Sequence, residues 1–328
     1  MTSLHQRGVL VIHQGALGDL LLSLGAIRAI EAAFGHPPLW VMGHLWVVQV
    51  LRNDPFIEGV IDADRADLVS LWGDGEGVRD LLQGFSWGVI FGRGEALKRN
   101  LKTGGMDLIE VPSHPPPGLH LVDHQMMELA RQGIWGKVAP PTLPVGQEER
   151  EEMKKRLRGW GIEGPFFLLH PGSGSKKKVW PPERWVEIMM RIEERGGPSG
   201  VILEGPADED PVRRLISHLS RPPLVIKGMG LREVASLLSL ASFYMGNDSG
   251  ITQLAAAVGT PLLAIFGPTD PRLWAPRGRK AQWIWGKVAC SPCTPEERRA
   301  CPRPLCMEAT GVEEVWDRVL GILEGADH

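Results

Sequence analysis

The fold turns on "VLVIHQGALGDLLLSLGAIRAI", residues 9–30. An apolar run from Val9 to Ile12 breaks at His13 and Gln14 and passes Gly15 and Gly18, after which Leu20, Leu24, Ile27 and Phe34 fall near one helical face. A strand, a glycine turn and an amphipathic helix in that order open a βα unit. A dinucleotide-binding turn would add a third glycine near position 20 or 21, and an acid at the end of the next strand for the ribose hydroxyls. Leucine stands at 20 and 21, and the next apolar run, "PLWVMGHLW", ends without an acid, which disfavours a dehydrogenase. What remains is a tight turn that sets Asp19 at a helix start, where backbone N–H groups and the helix dipole favour an ionised carboxylate. Asp19 is either a helix cap or a reacting group, and the turn by itself leaves both open.

Outward from this turn the pattern repeats. "GVLVIH", "PLWVMG", "GVIDAD", "WGVIFG" and "MDLIEV" read as strands separated by helical stretches, which implies a parallel sheet. A helix from about 120 to 132 is followed by "WGKVAPPTLPVG", whose prolines mark a linker. The second half restarts with a charged helix near 147–159, "PFFLLH", a Gly/Ser/Lys loop and a helix beginning at Pro182. "GVILEG", "PLVIKG", "ASFYMG" and "PLLAIFG" follow as strands, with helices near 209–219, 231–240 and 249–258. A chain of 328 residues suits two α/β domains of roughly 150 residues each, here 1–140 and 141–328, with the last helix packing back on the first domain. Two doubly wound units facing one another would take a ligand between them, at the carboxyl ends of their strands.

Composition narrows the partners. A formal net charge of −3 gives no general electrostatic reason to bind nucleic acid, so any anion site must be local. The N-terminal stretch is neither an export signal nor a membrane span, and a cytoplasmic protein is expected, with peripheral contact at the inner membrane suggested only by the cluster Lys154 to Arg158. On a helix such a cluster is equally a solvated face.

Two stretches of the second half look built for phosphate. In "HPGSGSKKKVWPPERW", residues 170–185, glycines admit close approach, serines and backbone amides donate hydrogen bonds, and Lys176 to Lys178 supply charge, without the Walker spacing of a P-loop. A solvated lysine run is the plainer alternative. In "YMGNDSGITQLAAAVGTPLLAIFGPTDP", residues 244–271, Asn247, Asp248 and Ser249 open a helix whose N–H groups suit a phosphate. Asp248 is an odd neighbour for one unless it holds a lysine or a sugar hydroxyl; otherwise it is a cap.

These blocks, "GALGDLLLSLGAIRAI", "HPGSGSKKKVWPPERW" and "GMGLREVASLLSLASFYMGNDSGITQLAAAVGTPLLAIFGPTDP", together resemble the ADP-heptose:lipopolysaccharide heptosyltransferases, glycosyltransferase family 9, over nearly the whole chain. The resemblance implies a GT-B fold, an acceptor-side N-terminal domain and a nucleotide-sugar-binding C-terminal domain. It also implies inverting transfer of a sugar, typically heptose from ADP-heptose, to a lipopolysaccharide core or related glycan acceptor. By resemblance Asp19 is the general base, following Gly18, and Lys178 contacts the donor phosphates. Ser173, Gly174 and the block Asn247, Asp248, Ser249 and Gly250 line the donor, Asp208 in "GPADED" meets the ribose, and Met229 the adenine. The chain departs from many relatives at Gln253 and Leu22, where they carry histidine. Single-displacement inversion needs a base and stabilisation of the departing diphosphate, and no cofactor is expected for it. A nucleotide-sugar 2-epimerase of GT-B type and a non-catalytic nucleotide-sugar or glycan-binding module are the alternatives; Asp19 and Lys178 speak against the module.

Three further features stay open at this level. Cys290, Cys293, Cys301 and Cys306 lie within seventeen residues and suit a structural zinc ion, a disulfide or reduced thiols. His120 and His124 stand one helical turn apart with Asp123 between them, a spacing for two metal ligands that lacks an evident third. Trp180 is the tryptophan best placed for a ligand contact.

Overall fold

The computed structural model describes residues 8–325 apart from 76–79, 81 and 222. The chain divides into two compact units, Met1–Pro144 and Val145–His328.

The first unit is built on five strands, β1 Gly8–His13, β2 Leu39–Gly43, β3 Gly59–Asp62, β4 Phe85–Phe91 and β5 Asp107–Val111. They lie in the order β3-β2-β1-β4-β5, and every pairing is parallel. β1 is buried along its whole length, which is why Val9 to Ile12 form a continuous apolar run instead of an alternating one. Leu10 and Ile12 share a core with Met42, Leu71, Ile90 and Leu101. Strand order reverses between β1 and β4, and in open parallel sheets the crevice outside the carboxyl ends at such a reversal is where ligands sit. The turn that carries Asp19 leaves β1 at that point.

The second unit has six strands, β6 Phe166–His170, β7 Ser199–Glu204, β8 Leu224–Lys227, β9 Phe243–Asn247, β10 Leu262–Phe266 and β11 Ala281–Trp285. Their order, β11-β10-β9-β6-β7-β8, reverses between β6 and β9, and all pairings are again parallel. Both phosphate-binding candidates start there, one after β6 and one after β9. β11 was not among the strands expected from sequence, because "AQWIW" is a short edge segment with Trp283 exposed and little apolar periodicity.

The closing helix Val312–Leu323 buries Val315 and Val319 in the second unit's own core, with Trp185, Ile188, Leu263 and Ile265. Each buried valine contributes about 1.5–3 kcal/mol relative to exposure.

At their carboxyl ends β1 and β2 approach so closely that a Cβ on Gly43 would lie 2.2 Å from the His13 carbonyl oxygen. Gly43→Ala should therefore cost about 2 kcal/mol, the scale of overpacking against backbone, whereas Gly84→Ala, where a Cβ meets nothing within 4 Å, should be nearly neutral. Urea midpoints of the two variants measure this, and equal midpoints would refute the close approach.

Candidate active site

In the first unit Asp19 is the third residue of the helix Leu17–Leu22, and its Oδ2 accepts a hydrogen bond from the Ala16 N–H at 3.2 Å. The carboxylate is half-buried and does cap the helix. Gly18 precedes it in the same first turn and is also half-buried. Gly15 is required by crowding, since a Cβ there would sit 2.8 Å from His13 Cε1 and 3.0 Å from Asp19 Cβ.

His13 lies beneath this turn, 2% exposed, with Phe91 tilted against its ring at 5.3 Å. The Gly15 N–H donates to His13 Nδ1 at 3.3 Å, and Nε2 lies 3.4 Å from Ser23 Oγ. Burial pushes the imidazole down to about 4, so it is neutral at neutral pH.

In the second unit His170 ends β6 and leads into the lysine loop. Its Nε2 lies 2.8 Å from Asp208 Oδ2, to which the Gly205 N–H also donates at 2.9 Å. Burial pushes the Asp208 carboxyl up, but His170 and the Gly205 N–H outweigh it and hold the group below the usual carboxylate range. A Cβ on Gly172 would fall 1.7 Å from Asp208 Oδ1, so the loop packs directly on this carboxylate. Asp208 is thus buried and engaged within the unit. It shapes the loop through these contacts.

Asn247 is fully buried. Its Oδ1 accepts from the Trp180 N–H at 3.0 Å, and its Nδ2 donates to the Pro171 and Gly172 carbonyls at 2.8 and 3.3 Å. It clamps the loop after β6 to the end of β9. Trp180 is 0% exposed, donates from Nε1 to the Thr310 carbonyl at 3.1 Å, and packs edge-on to Trp185 at 4.6 Å.

Asp248 does hold a lysine. Lys178 Nζ lies 2.6 Å from Asp248 Oδ2, and Thr269 Oγ1 donates to the same oxygen at 2.5 Å. Ser173 Oγ donates to the Asp248 carbonyl at 2.7 Å, which joins the two loops a second time. Ser249 caps the helix Gly250–Ala257, its Oγ accepting from the Thr252 N–H at 3.3 Å, so Ser249 and Gly250 stand half-buried at a helix start. Gly174 is exposed at the loop, and Met229 is half-buried between β8 and the helix Leu231–Leu238. Thr269 was not singled out from sequence; its only signal was its place in "GPTDP". Gln253 is buried with its amide on the Trp274 carbonyl at 2.8 Å, and Leu22 is in the core. A lysine, hydroxyls and helix-start N–H groups at the carboxyl ends of β6 and β9 suit phosphate oxygens.

Of the remaining candidates, the cysteine segment adjoins these loops, with the Cys293 N–H donating to the Pro268 carbonyl at 2.8 Å. His120 spends Nδ1 as the cap of the helix Leu121–Arg131, accepting from the Val122 N–H at 3.2 Å, and His124 lies 4.0 Å from Glu128. The four cysteines are free thiols. Cys293 and Cys301 donate to the Cys290 and Arg303 carbonyls, both at 3.2 Å, and burial in the apolar core pushes Cys306 up to about 11. Among the described residues no three His, Cys, Asp or Glu side chains are grouped to hold a metal, so neither the zinc reading of the cysteines nor the histidine pair gains a site. On Gln147–Gly159, Lys154 pairs with Glu151, Lys155 with Glu152 and Arg156 with Glu233, as on a solvated face. Among the described residues no helix is long and apolar enough to cross a membrane.

The displaced His13 equilibrium has a measurable sign. Between pH 6.5 and about 4 the unfolded chain binds a proton at this position that the folded chain does not, so stability falls as pH falls through that window. The loss should total about 3 kcal/mol, and His13→Asn should flatten that part of the profile by one proton. Urea denaturation at a series of pH values tests it; parallel profiles would refute it.

Comparison with known proteins agrees with the architecture. Residues 99–302 match the profile of glycosyltransferase family 9 (heptosyltransferase). Lipopolysaccharide heptosyltransferase 3 of Escherichia coli is 25% identical over 175 residues, 52% of this chain and 51% of that protein. Lipopolysaccharide heptosyltransferase 1 of Pseudomonas aeruginosa is 27% identical over 172 residues, 48% of each chain. The chain thus spans about half the length of the curated relatives it matches. In fold it is similar to the family 9 glycosyltransferase of Veillonella parvula, with a TM-score of 0.82 at 17% identity over 99% of both chains. It is also similar to the E. coli ADP-heptose lipopolysaccharide heptosyltransferase II, with a TM-score of 0.77 at 16% identity over 98% of this chain and 100% of that one. With the matched profile covering more than half of its length, the chain belongs to glycosyltransferase family 9, the heptosyltransferase family.

Proposed function

We propose that this chain is an inverting glycosyltransferase that moves a sugar, heptose from ADP-heptose, onto a hydroxyl of a lipopolysaccharide core acceptor. The observation that carries this reading is the joined pair of loops after β6 and β9. There Lys178, held by Asp248 and Thr269, accompanies the helix start at Ser249 and Gly250. That is a preformed place for a diphosphate, and family membership supplies the sugar class.

The chemistry is a single displacement. The acceptor oxygen attacks the anomeric carbon and Asp19 takes its proton. The bond from that carbon to the diphosphate oxygen breaks, and the nucleoside diphosphate leaves with the electron pair. One displacement inverts the centre. Asp19 serves as general base, and Lys178 with the helix-start N–H groups stabilises charge building on the leaving group. Their positive charge takes the part a divalent cation would otherwise play, so transfer should proceed in a chelator. The acceptor is lipid-borne on this reading and is met from the cytoplasmic side.

A binding screen of nucleoside diphosphates, followed by turnover of their sugar conjugates with and without core acceptor, tests the reading. Product formed without acceptor would replace it with epimerisation, and binding without turnover across acceptors would replace it with a binding module. Asp19→Asn should lower kcat about 10²–10⁴-fold while ADP affinity stays within about twofold. Unchanged kcat would remove Asp19 from the chemistry. Lys178→Ala should weaken ADP binding about tenfold, roughly the 1.4 kcal/mol scale of one exchanged charged hydrogen bond, and lower kcat as well. Normal values of both would exclude it from the phosphate site.

A further inference from the structure

We propose that a buried side-chain relay from Gln125 through Ser23 to His13 positions Asp19, and that Gln125 is the residue that locks it. This rests on the reading of Asp19 as the base. Gln125 lies on the helix Leu121–Arg131, 102 residues from Ser23 in sequence, and is 1% exposed. Its Nε2 donates to Ser23 Oγ at 2.9 Å and to the Pro112 carbonyl at 3.1 Å.

The direction of every bond in the relay follows from the donors. The Ser23 hydroxyl gives its one proton to the Asp19 carbonyl at 2.8 Å. Its oxygen must therefore accept, both from Gln125 and from the nearby His13 Nε2 at 3.4 Å. That puts the His13 proton on Nε2 and leaves Nδ1 to accept the Gly15 N–H at 3.3 Å. One chain of buried groups thus grips Gly15 at the start of the turn and the Asp19 backbone at its end. Between those two points lies the Ala16 N–H that holds the Asp19 carboxylate.

Packing alone does not call for glutamine at this place. Gln125 Oε1 is buried without a hydrogen-bond partner, so methionine would fill the same space and remove that unpaired oxygen, at the cost of the donor to the Pro112 carbonyl and to Ser23 Oγ. What the amide adds is its two donated bonds, one of them to the serine that ties down Asp19. A base must be held within a fraction of an ångström of the proton it removes, and loosening its turn lowers the rate of the chemical step while leaving binding intact.

Gln125→Met should lower kcat about tenfold with donor KM and ADP affinity unchanged. Placed in an Asp19→Asn background, the same substitution should alter the residual rate less than twofold, because no base remains to be positioned. Ser23→Ala, with melting temperature monitored for both variants, should repeat the pattern and serves if Gln125→Met fails to fold. Wild-type kcat in Gln125→Met or Ser23→Ala would overturn the relay, as would a full tenfold loss on top of Asp19→Asn, which signals general damage to the fold. Wild-type kcat in Asp19→Asn alone would overturn the base reading instead, and that outcome is read without touching Gln125.

Discussion

The bond pattern of one buried amide, Asn247, decides the shape of the second unit's working end. A parallel sheet brings its strands to a common edge but leaves the loops beyond that edge with backbone groups that pair with nothing in the ladder. Asn247 ends β9 and takes up three of those groups at once: the carbonyls of Pro171 and Gly172, and the N–H of Trp180. The lysine loop is thereby fixed at both of its ends to the neighbouring strand, and Lys178 lies between the fixed points. Removing such an amide would leave three backbone groups buried without partners, a cost of about 1–3 kcal/mol for each.

The first unit meets the same constraint with different residues. Its turn after β1 is short and glycine-bound, and the groups that hold it are His13, Ser23 and Gln125 instead of a residue at a strand end. Both arrangements sit where strand order reverses, and both anchor a loop by buried polar side chains whose partners are mostly backbone. At both helix starts one N–H group is taken by a capping side chain, that of Ala16 by Asp19 and that of Thr252 by Ser249.

Strands β1 to β10 were legible because each is an apolar run bounded by glycine, proline or charge, and the two anion loops were legible because glycine, serine and lysine cluster between a strand and a helix. Which residues of those loops face outward was not legible. Asn247, Asp208 and Trp180 have the chemistry of ligand-binding residues and proved to be interior, since a polar or aromatic side chain reads the same in sequence whether it is turned toward a ligand or toward a neighbouring loop. Gln125 and Thr269 escaped notice for the complementary reason. Their roles come from contacts with Ser23 and Asp248 across long stretches of chain, and no local periodicity records such a meeting. The apolar stripe of the last helix specifies that it must pack, not on which unit, and Val315 and Val319 are buried in the second unit's core.

Asp248 beside an anion site is the least intuitive of these placements, and charge accounting explains it. Lys178 has 19% of its side chain exposed and Asp248 10%, so an unpartnered ammonium or carboxylate at this depth would be poorly solvated. Pairing them neutralises both, and Thr269 gives the carboxylate a second donor on the same oxygen. Even without Lys178 the carboxylate would keep the threonine hydroxyl, and its backbone the Ser173 link. Asp248 is therefore the counter-charge that lets Lys178 stand at this depth.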